Sequence, residues 1–339
     1  MSDQSTRRSD ISTRRDVLQA VGVLSTTGAV AGLAGCLGSD DENDDDDPIE
    51  VADFELSSWL SAPGTVTGED HYPFEYFSYE AFLALEDTLG EGPLSEDDYE
   101  EIEAGVNGEG SQPRPLPSLS GREIDTFGEY LTVDNNAQQV LYGDHAPDAI
   151  GDGLVEDVGF ERVGSHGGFD IYLNELQGQP VDIAVGLSED VLLWVEDEYP
   201  DDDIEALADT QTGDTARYTD ESEEMSELLD HVGSGARSLG ETSDPISQTD
   251  LDFPAFEGQV AYGYDVALDG DPIDERYVIV FEDEDAVTLD DVEAWAGGEG
   301  DGEERFASHT DVSTEQDGRT VVVSGTRETV DPFVDLYSP

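Results

Sequence analysis

The chain has 339 residues, a hydrophobic fraction of 36%, and 84 acidic against 13 basic side chains, for a formal net charge of −71. All 13 bases are arginine, and lysine is absent. A polyanion of this kind cannot neutralise phosphates, which argues against DNA, RNA and basic attachment to anionic lipid. The missing lysine removes Walker A phosphate binding, Schiff-base chemistry and a kinase strand lysine.

High charge can signal disorder, but here the acids lie between apolar runs at 191–195, 278–281 and 321–323 and do not replace them. The charge therefore reads as a solvated surface on a folding chain. At 1 M salt the Debye length falls to about 3 Å, which removes most of its self-repulsion. Acidic enrichment without lysine resembles the proteins of haloarchaea, so the domain is expected to lose structure as salt is removed.

The N-terminus differs from the rest. Arg7, Arg8, Arg14 and Arg15 stand against only Asp3, Asp10 and Asp16, and residues 17–34 are uncharged, interrupted by Gly22, Gly28 and Gly32. This is the order of a signal peptide. Thr13-Arg14-Arg15-Asp16-Val17-Leu18 resembles the twin-arginine export signature. Arg7-Arg8 lacks the apolar residues that follow a working pair, so export recognition is assigned to Arg14 and Arg15.

Leu33-Ala34-Gly35-Cys36 resembles a lipobox, and Cys36 is the one cysteine of the chain. A lone thiol cannot form an intramolecular disulfide, which favours Cys36 as a lipid attachment site. An uncleaved membrane anchor is the alternative, weakened by the glycines and hydroxyls of the stretch. On these motifs the chain resembles the twin-arginine-exported lipoproteins of haloarchaea. The resemblance covers the first 36 residues and implies a location, the extracellular face of the cytoplasmic membrane, with the translocase as a partner during export.

The expected divisions are a signal peptide at 1–35, a tether at 36–48, an N-terminal α+β segment at 49–136, and two βαββ-type halves at 137–240 and 241–339. Asp40, Asp41, Glu42 and Asp44 to Asp47 stretch the tether by like-charge repulsion. A calcium loop is the sharper reading of that run, but its glycine turn and distal glutamate are missing. Residues 54–60 read as a strand and 78–89 as a helix, followed by a helix from Ser95 and an irregular loop through Pro113, Pro115 and Pro117.

From Gln138 strands and helices alternate. A strand at 138–142 precedes a helix opened by Pro147, with Ile150, Leu154 and Val158 on one face and Gly159 at its end. A strand at 169–173 and a hairpin at 181–186 and 191–196 follow. Asp201 to Asp203 are expected to cap a helix through Ile204 and Leu207, and Asp220 with Glu223 to form the capping box of a longer one. Residues 240–254 read as a linker. Strands at 259–266 and 276–281, a helix capped by Thr288, and a hairpin across Asp317-Gly318 complete the chain.

Strand, helix, strand, strand thus occurs twice, from near Gln138 and near Tyr277. The pattern predicts an α+β fold of antiparallel sheets with helices packed on one face, with two ferredoxin-like halves from an internal duplication as its specific form.

Chemistry is sparse in the sequence. No glycine-x-serine-x-glycine elbow occurs. Ser165-His166 among Gly164, Gly167 and Gly168 reads as a bulge or hairpin turn, because adjacent strand residues point to opposite faces. His71, His145, His166, His231 and His309 show no metal-site spacing. Acid pairs carry no information in so acidic a chain. Aromatics crowd 59–82 around His71 and Tyr72, as a core anchor in the first reading and a ligand groove in the second.

No catalytic, cofactor or metal residues are assigned, and no cofactor. The leading expectation is a non-catalytic surface protein engaged in binding or envelope interaction. A solute-binding receptor would need a cleft between lobes, and an extracellular hydrolase a buried histidine or carboxylate cluster.

Overall fold

The structure is a computed structural model. It describes residues 55–65, 70–78, 81, 128–134, 137–143, 145–174, 182–197, 199–233, 235–246, 255–267, 273–298, 306 and 308–327. The export arginines Arg14 and Arg15, the lipid site Cys36, the acidic tether, residues 82–89 of the helix expected at 78–89 and the helix expected from Ser95 lie outside these residues, while Ser78, where the first of these helices is expected to begin, is in a strand. The chain divides after Glu50, and all described residues belong to the second unit.

Twelve strands form one antiparallel sheet. In chain order they are β1 (Pro73–Ser78), β2 (Glu129–Val133), β3 (Gln138–Tyr142), β4 (Glu161–His166), β5 (Phe169–Asn174), β6 (Asp182–Leu187), β7 (Val191–Asp197), β8 (Arg237–Thr242), β9 (Gln259–Ala267), β10 (Ile273–Phe281), β11 (His309–Asp317) and β12 (Thr320–Arg327). The order across the sheet is β11-β12-β10-β9-β8-β1-β2-β3-β7-β6-β5-β4. The described helices are α1 (Pro147–Gly153), α2 (Pro200–Thr212), α3 (Tyr218–Glu221), α4 (Glu223–His231) and α5 (Leu289–Ala296).

This corrects the expected architecture in two respects. There are not separate sheets for two halves, because β1 and β8 pair from Pro73↔Glu241 to Phe77↔Arg237 and carry one ladder through the middle. Nor do the helices keep to one face. In β7, Val191, Leu193 and Val195 join a core with Ile204 and Leu207 of α2, whereas Leu192 and Trp194 join one with Ile150 of α1 and Leu154. In β10, Val278 and Val280 face Met225 and Leu228 of α4, whereas Tyr277, Ile279 and Phe281 face Val292 and Trp295 of α5. Period-two alternation puts neighbouring residues on opposite faces. Both faces of these inner strands are therefore buried, with α2 to α4 over one and α1 and α5 over the other, whereas the edge strands β4 and β11 are largely exposed.

Residues 240–242, expected to begin a linker, belong to the central strand β8. Gly240 concealed it, since glycine is a poor strand former, yet here its lack of a side chain is the point. Gly240 pairs with Gly263 of β9. A Cβ at Gly263 would stand 2.5 Å from Val232 Cγ2 and 2.8 Å from Leu228 Cδ1, and one at Gly240 would stand 2.8 Å from Phe74 Cε1. The paired glycines make a trough that seats the end of α4 on the sheet.

Other departures are local. Residues 56–59 form a 3-10 helix, not a strand, with Leu56 and Trp59 buried. The helix opened by Pro147 changes to a π-turn over Leu154–Val158, which winds more residues per turn and leaves Val158 39% exposed instead of beside Ile150. Asp201 to Asp203 sit within the first turn of α2 behind Pro200, and its N-cap Tyr199 makes no side-chain cap. Asp220 Oδ2 accepts from Arg217 N at 3.1 Å, the single half of a capping box that an arginine N-cap allows, and α4 is capped by Ser222, whose Oγ accepts from Met225 N at 3.0 Å.

The strand-helix-strand-strand order occurs at β3-α1-β4-β5 and at β10-α5-β11-β12. Each is preceded by a meander of two strands, β1-β2 and β8-β9, and the β6-β7 hairpin lies between β5 and β3.

Because the trough at Gly263 has no spare space, Gly263→Ala should cost about 1–3 kcal/mol of stability by overpacking. In a Val232→Ala background the added cost should shrink, since the nearest methyl is gone. Chemical denaturation of the four variants measures this. An equal cost in both backgrounds would mean that the trough does not set the approach of α4.

Candidate functional site

The residues singled out in the sequence do not converge. His71 Nδ1 lies 3.1 Å from Thr242 Oγ1 at the end of β8. Tyr72 donates to the Ser61 carbonyl at 2.5 Å and packs on Tyr218 at 4.7 Å, and Tyr218 in turn hydrogen-bonds Thr242. With Phe74 and Tyr76, Tyr72 belongs to the core over β1, so the aromatic run serves packing. His145 Nδ1 lies 3.0 Å from the Gly143 carbonyl before α1, and the His231 carbonyl accepts from Arg276.

Ser165 and His166 are paired residues of β4, a strand the sequence did not announce, and the bulge at Val163 and the Gly167-Gly168 turn flank them and do not contain them. His166 then reaches α2, where its Nε2 lies 2.7 Å from Asp209 Oδ1 and its Nδ1 3.8 Å from Glu205 Oε2. Residues 205 and 209 are one helical turn apart, so both acids present to the same ring. No serine is placed against His166 by this arrangement.

The densest chemistry is a cluster missed in the sequence. Arg327 Nε lies 2.8 Å from Oε1 of Glu275 on β10 as an ion pair, His309 Nε2 lies 3.1 Å from Oε2, and Tyr277 donates to Oε2 at 3.0 Å. Three strands position these groups. Glu275 stands opposite Gly325 in the β10–β12 ladder, and Arg327 stands opposite His309 in the β11–β12 ladder. A Cβ at Gly325 would lie 2.8 Å from His309 Cδ2, so this glycine leaves the space that the imidazole fills.

Aromatic rings enclose the cluster. Tyr277 lies 4.9 Å from Tyr264, 5.5 Å from Trp295 and 5.4 Å from Phe306, and Phe306 lies 5.1 Å from His309. The side chains of Glu275 and His309 have no solvent exposure. Burial, the largest influence on Glu275, pushes its carboxyl up. The hydrogen bond from His309, the charge of Arg327 and the bond from Tyr277 outweigh it and hold the carboxyl below its ordinary value.

A histidine beside a carboxylate is the arrangement that orients a general base. Here, however, Nε2 lies 3.1 Å from Glu275 Oε2 and 3.2 Å from Arg327 Nε, and it can donate to the first or accept from the second but not both. Sealed from water and crowded at that nitrogen, His309 packs against the Glu275–Arg327 ion pair, and the three side chains tie β10, β11 and β12 together. The sequence signal was parity: Ile273, Glu275, Tyr277 and Ile279 share a strand face, which puts an acid on an inward position.

Described residues border at least two open clefts. One, of about 590 Å³, is bordered by His145, Asp148, Asp170, Tyr172, Glu189 and Asp190. The other, of about 410 Å³, lies between the 56–59 turn and α4 beside Glu55, Leu229 and Asp230. Neither is lined by His71, Tyr72 or His166. Among the described residues no group of three or more His, Cys, Asp or Glu could hold a metal ion, and no helix is long and apolar enough to cross a membrane.

Each of the six described arginines is engaged within the chain. Arg162 pairs with Asp170, Arg237 with Glu75, Arg319 with Glu224 and Glu227, and Arg327 with Glu275. Arg217 donates to the Thr210 and Gln211 carbonyls at the end of α2, and Arg276 to the His231 carbonyl at the end of α4. Cations at helix C-termini complement the partial negative charge there.

Glu275→Gln removes the charge that compensates Arg327 in a dry site, and breaking one side of such a pair costs about 3–5 kcal/mol. Because the folded carboxyl titrates below its ordinary value, its contribution is complete above the unfolded pKa and is lost as pH falls through the folded one. Stability measured against pH should therefore have a shallower acid limb in the variant. A variant as stable as the parent, with the same acid limb, would contradict the cross-link.

No family model matches the chain, and no curated protein matches it. Among solved structures it is similar to TP0453 in crystal form I, at 7% identity and a TM-score of 0.44, over 84% of this chain and 98% of that one. Crystal form III of TP0453 gives 9% and 0.42 over the same shares, and crystal form IV gives 11% and 0.41 over 84% and 99%. At these TM-scores neither fold nor function follows from the likeness.

Proposed function

We propose that this chain is a lipid-anchored cell-surface protein of a halophilic archaeon, exported by the twin-arginine translocase and engaged without catalysis in binding or envelope interaction. One observation carries the proposal: Arg14-Arg15, an uncharged stretch, and Leu33-Ala34-Gly35-Cys36 follow one another in that order, and the chain has no other cysteine. The lipid on Cys36 would hold the domain at the outer membrane face, with the acidic run 40–47 as spacer.

The surface chemistry supports a role in which the domain presents acids. The described arginines serve internal pairs and helix ends, so the outward charge is overwhelmingly negative, and nucleic acid is a poor partner.

The hydrolase reading has one observation in its favour, the buried His309–Glu275 pair. It is weakened by the absence of any exposed atom on either side chain. Against the receptor reading, the described strands form one continuous sheet and not two separate lobes.

Replacing both Arg14 and Arg15 by lysine should abolish surface display, and Cys36→Ser should release the protein or leave its precursor uncleaved. Cell fractionation and mass spectrometry of the membrane-bound form are the readouts, with a modified N-terminal cysteine expected in the parent. An unmodified Cys36 thiol in the mature chain would refute the anchor. Circular dichroism across a salt titration tests the halophilic part, which fails if stability is the same at about 0.1 M and 1 M salt.

A further inference from the structure

β4 and β11 end the sheet, and no described strand pairs with the outer edge of either. An open ladder of this kind is a template for strand addition by a second copy of the chain. The two edges occupy equivalent places, since each is the first strand of the hairpin that follows a helix, α1 or α5, on the same face of the sheet.

Both edges carry the same irregularity at the same point. In β4, Glu161 and Arg162 pair with Leu173 and Tyr172, the register then slips by one residue at Val163, and Gly164, Ser165 and His166 resume opposite Ile171, Asp170 and Phe169. In β11, His309 and Thr310 pair with Arg327 and Thr326, the register slips across Asp311 and Val312, and pairing resumes at Ser313↔Ser324. Asp311 takes a φ of 54°, the left-handed region that a non-glycine residue rarely adopts. A valine sits in each slip, 54% exposed in β4 and 36% in β11, and these are two of only five large apolar side chains exposed among the described residues.

We infer that these two bulges seal the sheet against edge-to-edge joining of copies. A strand added to an edge needs an unbroken run of backbone donors and acceptors at regular spacing. The slip leaves β4 with regular runs of two and three residues, and β11 with runs of two and five. Charge alone would be a weak guard. At 1 M salt the Debye length of about 3 Å is shorter than the separation of about 4.8 Å between paired strands, so acids on facing edges repel little. Backbone geometry is indifferent to salt. The exposed valines and the strained Asp311 are what this geometry costs.

The test is static light scattering, with circular dichroism as a check of folding, on the parent chain, on deletions of Val163 and of Val312, and on Asp311→Gly. The glycine variant keeps the bulge while relieving its backbone. The parent and Asp311→Gly should hold the monomer mass from about 1 M to saturating sodium chloride, and a folded deletion variant should at least double it. Deletion variants that fold and stay monomeric would overturn the inference. So would a parent chain whose mass doubles as salt rises, and that salt series decides alone if a deletion variant fails to fold.

Discussion

The pairing of β1 with β8 is the constraint from which the rest of the structure follows. It joins two groups of strands, in each of which the chain steps outward from the centre, crosses to the edge and returns inward, into one sheet whose inner strands are covered on both faces. Antiparallel sheets more often leave one face to water. Here, instead, helices from four places in the sequence are drawn to both sides, and strands such as β7 and β10 become apolar on both. The glycine pair Gly240–Gly263 sits beside this seam and allows α4 to lie close against it. Without that approach, Phe74 and Leu228 would lose the contact that ties the central strands to the covering helices.

Charge is organised around the same sheet. With so few cations, the fold places each described arginine where a carboxylate or a helix end needs one. Glu275 and Arg327 are the extreme case, an ion pair inside an aromatic enclosure that locks the register of β10, β11 and β12. Breaking one side of such a pair is costly even where the intact pair adds little net stability, because the other charge is left buried and uncompensated. The remaining acids go to the surface, where molar salt makes them tolerable.

Much of the strand content was legible in the sequence because period-two patterns and turn residues are local signals. The β6–β7 hairpin, the Asp317-Gly318 turn and the helix opened by Pro147 all lie where the pattern puts them. What was illegible was long-range. Nothing local in Arg237-Ser238-Leu239-Gly240 announces a central strand, since its stability comes from neighbours distant in sequence. A run apolar on both faces, as in 191–195, says that both faces are buried but not that a single sheet is shared. Glu275 was hidden by abundance, because in a chain with 84 acids one inward carboxylate is conspicuous only once its parity is compared with Ile273 and Tyr277.

If the sheet is one unit, its two ends must unfold together. Trp194 lies in the core under α1 and Trp295 in the core under α5, on opposite sides of the β1–β8 seam. Replacing the other two tryptophans by phenylalanine gives variants that report from one end each, followed by fluorescence during chemical denaturation in molar salt. Corrected for the stability change of each variant, coincident transitions are expected from a single cooperative sheet. Two transitions with separate midpoints would mean that the halves fold independently and that the central pairing is not what holds the structure together.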